Sequence, residues 1–485
     1  MITLTLAQAA AAIGAIAPPV PDPDATAVRR VVFDSRDAGP GDLFVALAGE
    51  HADGHDFVPA ALEGGACAAV VHDTSRWPGA DLPLLVVHDT LHALGALAGA
   101  VVALVPAVTV VAVTGSNGKT TTKEMLAALL ADQAPTIATE GNLNNEIGVP
   151  VTALRVNPDT RFLVLEMGAR TIGDIDYLTG VVPPSVGVVL NVGTAHIGEF
   201  GSRAAIAQAK GELVEALPAD GIAVLNVDDD LVMAMAARTI APVRTFGRAA
   251  TADVRAENVV TDERGRAAFD LVTAAGRAAV RLGYVGEHHV SNALAAAAVV
   301  LSLEVADVAT VAAGLSGQHP VARWRMEVTD RADGVTIVND AYNSSPDSAA
   351  AAIRALVRIG DGRRTVAVLG EMLELGGASA AEHERLGRLA VDSGVDVILT
   401  VGAGASAIHA GALAQGAVEI AADRTHDAAR SAANETRATK VADRDAAAEE
   451  LRGLVRPGDV VLVKSSRDAG LRWLGDELAA AVPAR

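Results

Sequence analysis

Hydrophobic residues in this chain gather in short continuous runs rather than in strict alternation, and alanine-rich stretches separate the runs. Such runs predict strands buried on both faces of a parallel sheet, with helices as the covering layers. The pattern changes character twice. Up to about residue 105, strands at Val31-Val32-Phe33 and Leu43 to Leu47 alternate with glycine and aspartate turns, and an alanine-rich helix closes near Pro106. From Val108 onward, the runs Phe162 to Leu165, Val186 to Leu190 and Ile222 to Leu225 recur between helical segments. A second alternation begins after Pro320, with strands expected at Val335 to Val338, Thr365 to Leu369, Val395 to Val401 and Val460 to Val463. The expected fold class is therefore α/β in three domains: a small mixed unit over 1–105, a parallel-sheet unit over 106–319 and a doubly wound, Rossmann-like unit over 320–485. Ligands of such sheets bind in loops beyond the carboxyl ends of the strands, so candidate chemistry is sought there.

Composition narrows the function classes. A net charge of −20 opposes binding to nucleic acid, which needs a basic footprint. Apolar stretches of 18 or more residues are interrupted by turn or polar breaks, so no membrane span is expected. Met1 to Ala17 lacks the basic region of a signal peptide, and the single cysteine, Cys67, suits a reducing cytoplasm. Lysine is scarce: Lys119, Lys123, Lys210, Lys440 and Lys464 are the five in the chain, and arginine supplies the other cations. A lysine kept on that background marks a position where an amine differs in consequence from a guanidinium.

The segment Val108 to Met125, VTVVAVTGSNGKTTTKEM, reads as strand, glycine loop and helix. That is the build of a phosphate cradle. Gly115, Ser116, Asn117 and Gly118 bring backbone N–H groups close to phosphate oxygens, the helix N-terminus adds its positive dipole end, and Lys119 adds a point charge. Thr120 offers a hydroxyl to Mg²⁺, and Thr121 follows it. Only two residues separate the glycines, where the common P-loop has four, so the match is one of context more than of spacing. Glu166 ends the strand RFLVLE at the same edge and suits a metal contact; His196 follows the next apolar strand. Asn142, Asn144 and Asn145 in GNLNNEIGVP offer neutral donors and acceptors, although asparagine is also a turn residue. Lys210, in AQAKGEL, reads from spacing alone as a surface lysine of a helix. Further on, His288, His289 and Asn292 precede an alanine-rich helix, Arg323 and Arg325 lie near the start of the last unit, and Asp340, Tyr342 and Asn343 follow a strand. Lys464 and Arg467 close the final strand and suit an anionic ligand.

Taken together, TGSNGKTTT, EMG, AKGE, the histidine–asparagine helix start and the late lysine–serine–arginine group resemble the Mur ligases of peptidoglycan synthesis. GNLNNEIGVP, NDAYNSSPDS and GEMLELG, with the N-terminal DSR and GDLFVALAGE, resemble the MurF branch in particular. The resemblance implies ATP-driven joining of D-alanyl-D-alanine to UDP-N-acetylmuramoyl-tripeptide through an acyl phosphate, in a cytoplasmic monomer. It implies that Lys119 and Mg²⁺ attend the transferring phosphate, that Thr120, Glu166 and His196 attend the metal, and that Asn292, Arg323 and Asp340 hold ATP. Ser35 and Arg36 would face the uridine nucleotide; Asn142, Asn144, Asn145, Tyr342, Asn343, Lys464 and Arg467 would face substrate. It also reverses the reading of Lys210, whose family counterpart is carbamylated by carbon dioxide into an anion. Three positions depart from the branch pattern: His289, Ser465 and Arg472. The alternatives are a ligase adding the third amino acid, a folylpolyglutamate synthase, or a P-loop ATPase that forms no covalent product. The third residue of the tripeptide, diaminopimelate or lysine, is left open.

Overall fold

The structure, a computed structural model, describes residues 1–16, 20, 22–49, 52–78, 81–420 and 435–480. Its first larger sheet has four parallel strands in the order Arg30–Val32, Asp42–Val45, Ala68–Val71, Leu84–Val86. A two-stranded antiparallel pair, Leu4–Thr5 with Ala27–Val28, stands apart from it. The expected alanine-rich helix is Thr90–Ala103, and Asp89 caps it by accepting from the N–H groups of Leu91 and His92.

Nine strands make the central sheet. Thr109–Thr114 lies between Val186–Val189 and Phe162–Glu166, with Thr136–Ala138 at the edge beyond; on the other side follow Ile222–Asn226 and Val243–Gly247. The chain leaves Thr109–Thr114 first toward one edge and later returns to its other side. The loop after this strand therefore sits where strand order reverses, which is where open α/β sheets hold ligands. One feature goes beyond the expectation of a purely parallel sheet: Val254–Thr261, Arg266–Thr273 and Gly276–Val285 extend it as an antiparallel meander. Burial along Arg266–Thr273 largely alternates, the mark of a sheet with one wet face.

Helix Lys119–Ala131 covers one face of the central sheet and packs against helix His289–Ser302. That second helix, HVSNALAAAAVVLS, is buried from His289 to Val300 apart from Ser291, because its run of alanines lets it approach on every side. Met125 and Leu126 are fully buried in the same cluster. Truncating Leu126 to alanine there costs about 2–5 kcal/mol.

The last sheet has seven strands: Glu327–Asp330, Thr336–Asp340, Val460–Lys464, Thr365–Leu369, Val397–Val401, Arg437–Val441 and Val418–Glu419. All pairings are parallel except that of Glu327–Asp330. Val460–Lys464, late in the chain, is inserted between Thr336–Asp340 and Thr365–Leu369, which brings Asp340 beside Lys464. Helix Pro346–Gly360 follows with Ser345 as its cap and Pro346 in its first turn, where a missing N–H costs nothing. Among the described residues no helix is long and apolar enough to cross a membrane.

Candidate functional site

The carboxyl edges of the central and last sheets face each other across a cleft of about 1450 Å³. On the central wall, the loop after Thr109–Thr114 is held by Asn191. Ser116 N donates to the Asn191 carbonyl (3.1 Å), Asn117 N donates to Asn191 Oδ1 (2.9 Å), and Asn191 Nδ2 returns a bond to the Asn117 carbonyl (3.0 Å). Gly118 begins the helix in the left-handed region at φ 84°, and a Cβ there would lie 2.4 Å from Asn292 Oδ1. Glycine alone meets both conditions. Lys119 Nζ donates to the Gly115 carbonyl at 2.8 Å, and burial lowers its pKa most, against the pull of Glu166.

Glu166 is buried. Its Oε2 accepts from Thr120 Oγ1 at 2.9 Å and its Oε1 from Asn144 Nδ2 at 2.7 Å, so its direct side-chain partners are neutral donors. A carboxylate and a hydroxyl in contact, both in the cleft lining, form a hard-oxygen pair of the kind Mg²⁺ prefers. Among the described residues no group of three or more His, Cys, Asp or Glu is arranged to hold a metal ion. A metal here would draw on Thr120 and Glu166 and on oxygens from outside the chain. Lys210, on helix Arg203–Glu215, is not a surface residue as spacing suggested: it is 3% exposed and lines the cleft. It has no hydrogen-bond or ion-pair partner among the described residues. Burial first, and the Lys119 charge second, push its pKa well below the usual range for an amine. The turn after it matters too, since Glu212 accepts from Gly173 N and Asp176 N at the start of helix Asp174–Val181.

The opposite wall is assembled from distant segments. Lys464 is buried, 2.8 Å from Asp340 Oδ2, and donates to the carbonyls of Asp340 and Asn343. Tyr342, Asn343 and Arg467 line the cleft beside it. Among the contacts between the walls, Ser345 Oγ donates to Asn117 Oδ1 (2.9 Å), Asp347 Oδ2 accepts from Thr194 N and Oγ1, His196 Nδ1 lies 2.6 Å from Glu374 Oε2, Arg170 lies 3.7 Å from Glu374 Oε1, and Gly198 N donates to the Glu374 carbonyl. His196 holds a left-handed backbone, φ 60°, at the start of this contact. Glu374 belongs to GEMLELG, and neither it nor Asp347 was given a role from sequence; the signal was the motif itself, whose partners are remote in the chain.

Asn142, Asn144, Asn145, Thr121 and Asn292 all line the cleft. Asn145 also accepts from Gly148 N, so the turn reading and the site reading hold together. The expectation for Arg323 is corrected. Its guanidinium reaches outward to Asp476 (2.9 Å), and Arg325 lines the cleft in its place. Ser35 and Arg36 lie outside this cleft, on a short turn where Arg36 grips Asp34 and holds that carboxyl down to about 2.

The three departures also find places. His289 Nδ1 lies 3.1 Å from Asn292 Nδ2, and burial keeps the imidazole well below its usual pKa, so neutral His289 accepts and orients the amide that abuts Gly118. Ser465 is buried and donates to the Ser466 carbonyl. Arg472 donates to the Arg467 carbonyl and lies over Trp324 and Trp473.

Comparison with known proteins follows the same division of the chain. Residues 27–102 match the Mur ligase family catalytic domain, 113–300 the Mur ligase middle domain and 324–467 the Mur ligase glutamate ligase domain. The UDP-N-acetylmuramoyl-tripeptide--D-alanyl-D-alanine ligase of Mycobacterium tuberculosis is 47% identical over 511 residues, covering 99% of this chain and 98% of that protein. A crystal structure of MurF from Acinetobacter baumannii superposes with a TM-score of 0.86 at 32% identity, covering 99% of each chain. MurF ligase from Thermotoga maritima, solved in complex with ADP, gives a TM-score of 0.79 at 31% identity, over 93% of this chain and 98% of that one. Whole-length identity of this order means that the chain belongs to the Mur ligase family, in its MurF branch.

Proposed function

We propose that this protein joins D-alanyl-D-alanine to UDP-N-acetylmuramoyl-tripeptide with ATP, giving the pentapeptide precursor of peptidoglycan, ADP and phosphate. The observation that carries the reading is the convergence of a phosphate loop and a buried, unpartnered Lys210 with a second wall of Asp340, Lys464 and Arg325 on one cleft. Residues 1–105, 106–319 and 320–485 are the units we assign to the nucleotide-linked peptide, to ATP, and to completing the ATP and dipeptide sites.

In this reading the tripeptide carboxylate attacks the γ-phosphorus, ADP leaves, and the dipeptide amine displaces phosphate from the acyl phosphate. Positioning and neutralisation of charge are the protein's main contributions. The Ser116–Thr121 loop and Lys119 cradle the phosphates, and Arg325 and Lys464 bring positive charge from the facing wall. Thr120 and Glu166, with His196 also in the cleft lining, are the residues that would hold Mg²⁺, whose charge would offset that of the phosphate oxygens. Lys210, its amine pushed toward the uncharged form by burial, is poised to bond carbon dioxide and release a proton to solvent; the resulting carbamate would place an anion near Lys119. We propose that the enzyme works as a monomer in the cytoplasm, which its mass in solution tests.

Phosphate release and product mass, measured with each substrate omitted in turn, test the whole reading. Release should require both tripeptide and dipeptide, and the product should be their condensate. Release regardless of both would leave an ATPase, and preference for a single amino acid over the dipeptide would move the protein to another branch. Defined tripeptides ending in diaminopimelate or lysine identify the third residue.

A further inference from the structure

The chain crosses from the central to the last sheet between Gly317 and Glu327, and here it adopts an uncommon backbone. Trp324 and Met326 are both left-handed, at φ 60° and φ 50°, and neither is glycine. Bulky residues hold that conformation only where the surroundings over-determine it. The surroundings do. Trp324 N donates to Glu327 Oε2 (2.8 Å), the Trp324 carbonyl accepts from Tyr342 N (3.2 Å), and Met326 N donates to Asp340 Oδ1 (3.0 Å). The Trp324 indole N–H is held by both oxygens of Asp476, at 3.0 and 3.1 Å. Its ring stacks on Tyr342, meets Trp473 edge-on, and has Arg323 and Arg472 over it.

Between the two left-handed residues stands Arg325, its guanidinium 4.6 Å from the Tyr342 ring centre and facing the cleft. Its charge is felt by Lys119, Lys123 and Glu124 on the phosphate helix. In an extended strand, residues 323 and 325 would share a face. The left-handed turn at Trp324 separates them, sending Arg323 outward to Asp476 and Arg325 inward.

We infer that Trp324 and Asp476, braced by Arg472, form a clamp that aims Arg325 into the cleft, so that they are positioning residues for the reaction although none of the three lines the site. The inference rests on the ligase reading. It also gives the Arg472 departure a role, since an acidic residue there would lose the contacts over both indoles and repel Asp476 four residues on.

A double-mutant cycle tests this. Asp476→Ala should lower kcat about 10-fold to 100-fold, as misaimed groups do, while KM for the UDP-linked tripeptide stays within about twofold. Arg325→Ala should lose at least as much, and the double variant should be no worse than Arg325→Ala alone. Asp476→Glu, which keeps an acceptor for the indole, should recover most of the rate. Trp324→Phe keeps an aromatic ring while removing the indole N–H, so it repeats the cycle should Asp476→Ala fold poorly by thermal unfolding. Multiplicative losses in the double variant, or turnover by both Asp476→Ala and Trp324→Phe at the parental rate, would overturn the clamp. Failure of the parental enzyme itself to make product would overturn the ligase reading instead.

Discussion

The two walls of the cleft are built on different plans. The central wall is contiguous: strand, loop and first helical turn run through Thr109–Ala131, and its shape is set by main-chain groups and by Asn191. The facing wall draws Arg325, Asp340, Glu374 and Lys464 from four separate strand ends or loops and fixes them through side-chain ion pairs and buried carbonyls. A wall of backbone N–H groups is ready whenever its helix is folded. A wall of side chains acts only when the sheets are correctly apposed, so chemistry on this design is tied to closure.

The largest test of that contrast is Lys210, a buried central-wall lysine whose amine has no partner among the described residues. Lys210→Ala and Lys210→Arg should each lower ligation by at least about 100-fold, since the one lacks an amine and the other cannot form a carbamate. Product formation with and without a short-chain acid checks it; full turnover by the arginine variant without rescue would refute a carbamate role. Next comes the backbone. Gly118→Ala meets both a left-handed φ and Asn292 Oδ1 at 2.4 Å, so about 1–2 kcal/mol of strain and roughly a tenfold rise in KM for ATP are expected from steady-state kinetics.

Cross-wall contacts should give smaller effects. Glu374→Gln removes the carboxylate facing His196 and should reduce kcat/KM by about fivefold, roughly 1 kcal/mol for a partly exposed ion pair. It also predicts a pH dependence. The His196 contact holds the Glu374 carboxyl below its ordinary value of 4.5, so the associated stabilisation is complete above 4.5 and lost as pH falls through the lower folded value. The melting-temperature gap between parent and Glu374→Gln should therefore close on acidification; a gap that widens would contradict the sign. Smallest of all, Asp347→Ala loses the exposed contact with Thr194, and a roughly threefold fall in kcat/KM is expected.

The same contrast explains what could be read from the sequence. The phosphate loop was legible because its parts adjoin one another, and the strands carrying Glu166, Asp340 and Lys464 were legible as apolar runs. Lys210 misled, since helical spacing cannot reveal that a facing element will bury one lysine completely. Arg323 misled for a local reason: the left-handed Trp324 breaks the alternation by which neighbouring positions are judged. Glu374 stood in a quoted motif without a role because its partner, His196, comes from another sheet. The antiparallel meander over Val254–Val285 carried its own period of two, but continuous runs elsewhere set the expectation of a parallel sheet.

The inserted strand has a consequence for how the molecule comes into being. Thr336–Asp340 and Thr365–Leu369 do not pair with each other; each waits for Val460–Lys464 to slide between them. During synthesis the phosphate loop can therefore fold long before its counterpart exists, as chains fold unit by unit from the N-terminus. A nascent chain released before residue 460 would carry a nucleotide cradle with no Lys464 to face it and a split sheet with two unpaired edges, a species suited to aggregation and to futile nucleotide binding.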